Sequence, residues 1–240
     1  MHKAFLTVGV LAMLAGVAQA DIYTDATDDL HATFAGLDNL NISSVEVTND
    51  ADFVYFSMTM VGDLDASNWG KYIIGMDTGR NAGDNSTDPG SWNRNVDWGR
   101  GITDFVGSWA DDGGSGAGGE LRSWDGSAWG LTDATYAAGT DISADDSGHS
   151  AGIQMIAISL SSLGLSAGDV LEFDVFSTGG GADPGVDHLS RGDFSTDDWG
   201  NTSLSGQFLS YTITVVPLPG SAAIALLGLA GLASVKRLRR

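Results

Sequence analysis

Short runs in which apolar and polar residues alternate dominate the middle of the chain. Between residues 54 and 60, Val, Phe and two Met side chains alternate with Tyr55, Ser57 and Thr59. A period of two is typical of a β-strand that buries one face, so a strand is predicted here. The same pattern, or a short apolar run, predicts strands at residues 45–47, 72–76, 105–109, 156–160, 171–175 and 211–215.

Residues 124–129 predict a β-hairpin. The central Asp-Gly dipeptide favours a tight turn, and Trp124 and Trp129 would then face each other across it. Residues 159–165 predict one short helical turn. Many short strands separated by glycine-rich turns, without a regular alternation of strand and helix, favour an all-β fold. We expect an antiparallel β-sandwich of jelly-roll-like type.

The first 20 residues have the three parts of a secretory signal. His2 and Lys3 form a short basic start, residues 4–17 form an apolar core, and Ala18-Gln19-Ala20 matches the A-x-A cleavage pattern. We therefore expect a signal helix that is removed, so that the mature chain begins at Asp21. The alternative is a buried N-terminal helix of the fold.

The C-terminus also has three parts. Val216-Pro217-Leu218-Pro219-Gly220 precedes an apolar run, and the chain ends in Lys236-Arg237-Leu238-Arg239-Arg240. The run, residues 221–235, is shorter than the roughly 20 residues that span a bilayer, but its Gly and Ala residues suit close packing of helices in a membrane. The basic end would leave the preceding residues outside the cytoplasm. The alternative is an apolar helix that packs on the folded body.

This combination resembles the PEP-CTERM sorting signal that exosortases recognise in Gram-negative bacteria. Leu218 stands where the family's Val-Pro-Glu-Pro box has Glu, so the tail is similar to the Val-Pro-Leu-Pro variant. The resemblance implies transient inner-membrane anchoring through the C-terminal helix, followed by cleavage near residues 217–219 by an exosortase-like membrane protease. The protein would then reach the cell surface or the extracellular matrix. Residues 21–215 would be the exported domain and residues 216–240 the sorting signal.

Composition excludes several classes of function. The chain has no Cys, so disulfides, catalytic thiols and thiolate metal sites are excluded. All 31 acidic residues lie in residues 21–215, together with only six of the eleven basic residues. Nucleic acid is therefore not expected as a partner. The acidic charge suits a solvated extracellular surface, Ca²⁺ binding or a salty environment.

Three long polar loops are expected, and long loops on a rigid scaffold often carry binding sites. They are residues 79–95, 111–119 and 177–200. The first contains or adjoins our candidate sugar platform, in which tryptophan rings would stack on sugars beside amide and charged groups. Its residues are Trp92, Asn93, Arg94, Asp97 and Trp98. We assign Trp69 and Trp109 to the core, and core filling remains the alternative for every Trp.

The exported domain resembles the family 9 carbohydrate-binding modules and DOMON-like sandwiches of bacterial extracellular proteins. The resemblance lies in four segments, residues 45–50, 53–57, 69–79 and 171–180. It implies a ligand-binding β-sandwich over about residues 21–215, with an extracellular polysaccharide as a possible partner.

Aspartate clusters offer a second type of site. Ca²⁺ takes carboxylate and carbonyl oxygens, and the candidates are Asp25/Asp28/Asp29, Asp111/Asp112 and Asp183/Asp187, although none has the spacing of an EF-hand loop. A solvated acidic surface is the alternative for each cluster.

Enzymatic motifs are not found in the sequence. His31, His149 and His188 lack a second metal ligand at helical spacing, and no G-x-S-x-G motif occurs. Paired carboxylates of the glycosidase type remain open. We expect a secreted, non-enzymatic binding domain without a cofactor. The alternatives are a carbohydrate-binding module and a Ca²⁺-stabilised structural surface protein.

Overall fold

Antiparallel strands form most of the described chain. The computed structural model describes residues 20–85, 92–110, 116–137 and 139–214. The expected signal helix, the sorting segment and the pair Asp111/Asp112 lie outside these residues. Among the described residues, no helix is long and apolar enough to cross a membrane.

The strands are β1 (Asp21–Thr24), β2 (Ile42–Asn49), β3 (Phe53–Met60), β4 (Lys71–Asp77), β5 (Val96–Asp97), β6 (Asp104–Trp109), β7 (Gly118–Trp124), β8 (Trp129–Ala134), β9 (Ile142–Asp145), β10 (Ile153–Ser159), β11 (Val170–Thr178), β12 (Gly185–His188), β13 (Ser203–Leu204) and β14 (Leu209–Thr212). One α-helical turn, α1 (Leu160–Leu163), follows β10. Short 3-10 turns occur at Ala32–Phe34, Asp38–Leu40, Leu64–Ala66 and His149–Ala151.

The strands pair into two antiparallel sheets, which confirms the all-β class. The five-stranded sheet has the order β1-β2-β3-β10-β9, and the larger sheet has the order β12-β11-β4-β6-β7-β8. Strand β4 pairs along one edge of β11. Strands β14 and β12 share the other edge, where β14 pairs with the first half of β11 and β12 with its end. Strands β5 and β13 form a separate parallel pair.

The predicted strands are found with small differences at their ends. Strand β10 ends at Ser159 because the helical turn begins at Leu160, and β14 ends at Thr212. The hairpin at residues 124–129 is present, with Trp124 paired to Trp129. The strands are connected by residues 125–128, in which the Asp125 amide donates to the Ala128 carbonyl and the Asp125 carboxylate accepts from the amides of Ser127 and Ala128. The sequence did not predict strand β12, which lies inside the expected 177–200 loop.

The larger of two apolar clusters lies between the two sheets, in a β-sandwich-like arrangement. Alternate residues of β3 and β10, such as Phe56 and Ile156, are fully buried against residues of β4 and β11, such as Ile74 and Phe173. This placement explains the period of two in the sequence, because successive side chains of a strand point to opposite faces.

The larger sheet also buries side chains on its outer face. There a second apolar cluster contains Ile73, Phe105 and Phe176 from the strands, covered by Trp98 and Phe208 from the connecting segments. Long connections therefore fold back over this face and leave it only partly in contact with solvent. A sheet covered on both faces explains why its strands show continuous apolar runs and not a clean alternation.

Two glycines make this cover possible. A Cβ atom built on Gly75 would lie 2.4 Å from the Trp98 ring, and one built on Gly107 would lie 2.4 Å from the Trp92 ring. Both distances are far below van der Waals contact, so each ring occupies the space that a side chain would fill. The tryptophans therefore rest directly on the backbone of β4 and β6.

The assignment of Trp69 and Trp109 to the core is wrong. Trp69 is 37% exposed and packs edge-on against Trp199, with ring centroids 6.0 Å apart. Trp109 is half-buried at the end of β6, over Gly118 on the neighbouring strand. A tryptophan ring is large enough to cover part of the surface without entering the core. The sequence pattern does not distinguish such a tryptophan from one in the core.

We predict that Gly75→Ala destabilises the protein by about 1–3 kcal/mol, because the added methyl group must displace the buried Trp98 ring. Urea unfolding measures the change. Gly130→Ala is the matched control on a strand of the same sheet. The nearest atom to a Cβ at Gly130 is 4.0 Å away, so we expect a change within about 0.5 kcal/mol. Equal losses in the two variants would contradict the packing described for Gly75.

Candidate functional site

The structure separates the five residues of the candidate sugar platform. Trp92 and Asn93 lie together on the outer face of the larger sheet, whereas Trp98 is only 4% exposed and belongs to the second apolar cluster. Arg94 is buried and donates to the carbonyl of Gly181. Asp97 is half-buried and accepts from the Gly99 amide. Of the five residues, only Trp92 and Asn93 line the pocket described below.

Trp92 and Asn93 line a depression of about 430 Å³ whose other walls come from three strands. Phe105 of β6 forms part of the wall, Arg122 of β7 is its direct cross-strand partner, and Trp129 of β8 follows. The sequence indicated the hairpin that carries Trp129, but it did not connect that hairpin with Trp92, since the two are far apart in the chain. We call this site the tryptophan depression.

Aromatic rings form a continuous row through the tryptophan depression. Trp92 lies 6.0 Å from Trp109 and 6.5 Å from Phe105, measured between ring centroids. Phe105 lies 5.1 Å from Trp129, which lies 5.6 Å from Trp124. Edge-to-face and tilted pairs at such distances are favourable and hold each ring in one orientation.

Carboxylates hold the indole rings of Trp92 and Trp129 through hydrogen bonds from their N–H groups. Trp92 Nε1 donates to Glu120 at 2.8 Å, and Trp129 Nε1 donates to Asp84 at 2.7 Å. Glu120 also accepts from Arg122 at 2.8 Å and from the Tyr136 hydroxyl. Burial opposes ionisation of Glu120, but these hydrogen bonds outweigh burial and hold its pKa below the usual range. An ionised Glu120 therefore positions Trp92 and Arg122 together.

The backbone at the edge of the depression is unusual. Trp92 and Asn93 have φ values of 61° and 60°, in the left-handed region that residues other than glycine seldom adopt. The guanidinium of Arg94 lies 5.9 Å from the centre of the Trp92 ring. Strain of this kind persists only where surrounding contacts impose it, and it is often found at binding sites.

A scan against models of known protein families, a search of curated proteins and a search of solved structures each returned no match. The groups that line the tryptophan depression define its chemistry. It combines half-buried aromatic faces with an exposed amide and a guanidinium. Such a surface suits a ligand that has an apolar face and hydroxyl groups at its edges.

A buried Asp-His-Ser arrangement joins strands β11 and β12 of the larger sheet to strand β13 of the separate parallel pair. His188 Nδ1 is 2.7 Å from Asp174, and His188 Nε2 is 3.2 Å from the Ser203 hydroxyl. This order of groups resembles that of a serine hydrolase. However, all three side chains are buried, and Ser203 also accepts from the Gly185 amide. The sequence did not reveal this network, since Asp, His and Ser are too frequent in the chain for a spatial triplet to be recognised.

Two groups of acidic residues come close together in space. Asp25, Asp29 and Asp187, which we call the buried carboxylate cluster, each place one oxygen within 4.8 Å of the others. Asp28 and Asp183, from the same predicted Ca²⁺ candidates, are not part of it. The second group is Asp63, Asp65 and His149 on the surface.

The two groups differ in their electrostatics. Burial, reinforced by the charges of its neighbours, raises the pKa of Asp25 to about 8. Burial also raises the pKa of Asp187 to about 8 and raises that of Asp29. In the exposed group, the hydrogen bond to Asp63 raises the pKa of His149. The buried cluster thus strongly resists holding unbalanced negative charge.

We predict that Ser203 does not react as a nucleophile, because its hydroxyl is fully buried between Gly185 and His188. A fluorophosphonate probe should leave the folded protein unlabelled. Ser203→Ala should destabilise the protein by about 1–3 kcal/mol, since it leaves the partners of a buried hydroxyl unsatisfied. Labelling of the wild-type protein that disappears in Ser203→Ala would instead identify a hydrolase.

Proposed function

We propose that residues 21–215 form a non-enzymatic, glycan-binding module of a secreted protein. The observation that carries this proposal is the tryptophan depression, in which Trp92 and Trp129 present half-buried rings beside Asn93 and Arg122. Aromatic faces stack on the apolar faces of sugar rings, and the amide and guanidinium groups can hydrogen-bond to hydroxyls at the edges.

The rigidity of the site supports a role in binding. Each indole is held by a carboxylate and by neighbouring rings, so little side-chain freedom is lost when a ligand stacks on it. The charge of the protein further suggests which glycans bind. With 31 acidic residues against eleven basic ones, the protein repels polyanions, so we expect neutral polysaccharides to be preferred over acidic ones.

We further propose that the tail directs this module to the cell surface or extracellular matrix of a Gram-negative bacterium. The support is the order of the Val216–Gly220 box, the apolar run and the basic end, together with a secretory signal at the N-terminus. An exosortase-like membrane protease would be the processing partner. The tail therefore accounts for location, and the tryptophan depression accounts for binding.

Trp129→Ala should weaken retention by a bound polysaccharide at least about tenfold, equivalent to roughly 1.4 kcal/mol, because it removes one of the two stacking rings. Affinity electrophoresis of the purified protein through gels containing single neutral or acidic polysaccharides measures this change. Asn93→Gly should weaken retention without affecting the fold, because glycine accepts the positive φ at this position.

Trp69→Ala is the matched control. Trp69 is also exposed, but its ring packs against Trp199, and neither residue lines the tryptophan depression. It should bind like the wild-type protein. If no polysaccharide retards the wild-type protein, or if the Trp69 and Trp129 variants lose the same affinity, the depression is not a glycan site.

Deletion of Lys236–Arg240 should leave an unprocessed precursor in the inner membrane, because the basic end sets membrane orientation. Immunoblotting of membrane and surface fractions from an exosortase-containing Gram-negative host measures the outcome. A control that replaces Lys236 with Arg keeps the charge and should mature normally. Normal export and maturation of the deleted protein would show that the tail is not a sorting signal.

A further inference from the structure

The buried carboxylate cluster joins distant parts of the chain. Asp25 follows β1, Asp29 precedes the first 3-10 turn, and Asp187 lies in β12 of the other sheet. Asp29 is 8% exposed and Asp187 is 3% exposed, so neither is solvated as a surface aspartate would be. Three carboxylates have therefore been brought together in a place where water cannot easily separate their charges.

Several oxygens of this site have no hydrogen-bond donor. Oδ2 of Asp25 and both carboxylate oxygens of Asp29 are buried and accept no hydrogen bond from the part of the chain that the structure describes. The same holds for Oδ1 of Asn41, a residue only 6% exposed. Buried polar atoms are nearly always paired. Four unpaired oxygens in neighbouring segments therefore indicate that a ligand bound by oxygen atoms, such as a cation, is missing.

The remaining hydrogen bonds hold these oxygens in position. Asp187 accepts from the Ile42 amide at 2.6 Å, and Oδ1 of Asp25 accepts from the Ala26 amide at 2.9 Å. The amide nitrogen of Asn41 donates to the carbonyl of Thr27 at 3.0 Å, which assigns its oxygen as the unpaired atom. Asn41 is thereby attached to the same 25–29 segment that carries two of the aspartates.

We propose that Asp25, Asp29 and Asp187 bind one Ca²⁺ ion, with the Asn41 amide oxygen as a further ligand. Oxygens that bind Ca²⁺ at about 2.4 Å lie at most about 4.8 Å apart, which agrees with the mutual spacing of the three carboxylates. Mg²⁺ binds oxygens at about 2.1 Å and retains several waters, so it fits a dry cluster of protein oxygens less well.

The bound ion would connect the two sheets. It would attach the segment after β1, in the smaller sheet, to strand β12 at the edge of the larger sheet. Strand β12 also carries His188, which contacts the Trp98 ring over Gly75. Ca²⁺ would therefore stabilise the folded state without contributing to the tryptophan depression, and the inference does not depend on glycan binding.

Thermal unfolding of the full-length, chelator-treated protein tests the proposal. Adding CaCl₂ to about 100 times the dissociation constant should raise Tm by about 5–10 °C, since a ligand of the native state stabilises it. An equal concentration of MgCl₂ should have a smaller effect. Equilibrium dialysis with radioactive Ca²⁺ should give one tightly bound ion per chain.

Variants of the cluster distinguish this site from general binding to an acidic surface. Asp29→Asn should lower Ca²⁺ affinity at least about 100-fold and abolish the shift in Tm, because it removes a charged oxygen ligand of the ion. Asp65→Asn, in the exposed group, is the matched control and should keep the full response. Asp25→Asn, at a partly exposed position, repeats the test if the Asp29 variant does not fold.

The absence of any Ca²⁺-dependent shift in Tm and of any bound ion in the wild-type protein would overturn the proposal. If both Asp29→Asn and Asp25→Asn bind Ca²⁺ like the wild-type protein, the ion is not bound at the buried carboxylate cluster. Loss of Ca²⁺ binding in Asp65→Asn alone would contradict this location in the same way. Tighter binding of Mg²⁺ than of Ca²⁺ would overturn the choice of metal.

Discussion

The packing on the outer face of the larger sheet depends on one constraint, the close approach of tryptophan rings to the backbone of the sheet. Gly75 and Gly107 have no side chain, so Trp98 and Trp92 can lie directly on β4 and β6. The connections that carry these rings fold over the outer face of the larger sheet. One ring completes a buried cluster, and the other forms a wall of the tryptophan depression.

Buried polar groups hold the edges of the larger sheet in a different way. The contact between His188 and Asp174 joins β12 to β11. Asp187, which precedes His188, accepts a hydrogen bond from the Ile42 amide at the start of β2 in the smaller sheet. Such contacts are strong only when every partner is satisfied. The His188 network meets this condition through Ser203 and Ser205. The buried carboxylate cluster does not, and this contrast is why it points to a ligand.

Local pattern accounts for much of the fold. The alternation at residues 54–60 and 171–175 predicted β3 and β11, because a strand with one face in a core must repeat every second residue. The hairpin between Trp124 and Trp129 and the helical turn after β10 also follow from local residue preferences. Strand β12, in contrast, is formed by pairing with β11 and was not visible in a segment rich in Gly and Asp.

The sequence by itself determined the all-β class and the positions of the main strands, because backbone preference and side-chain period act over a few residues. It also contains the terminal segments on which the sorting proposal rests. Only the tertiary structure decided which tryptophans are covered, that Trp92 meets Trp129, and that Asp25 and Asp29 meet Asp187. These meetings depend on how strands far apart in the chain are paired and packed, and no local pattern records that information.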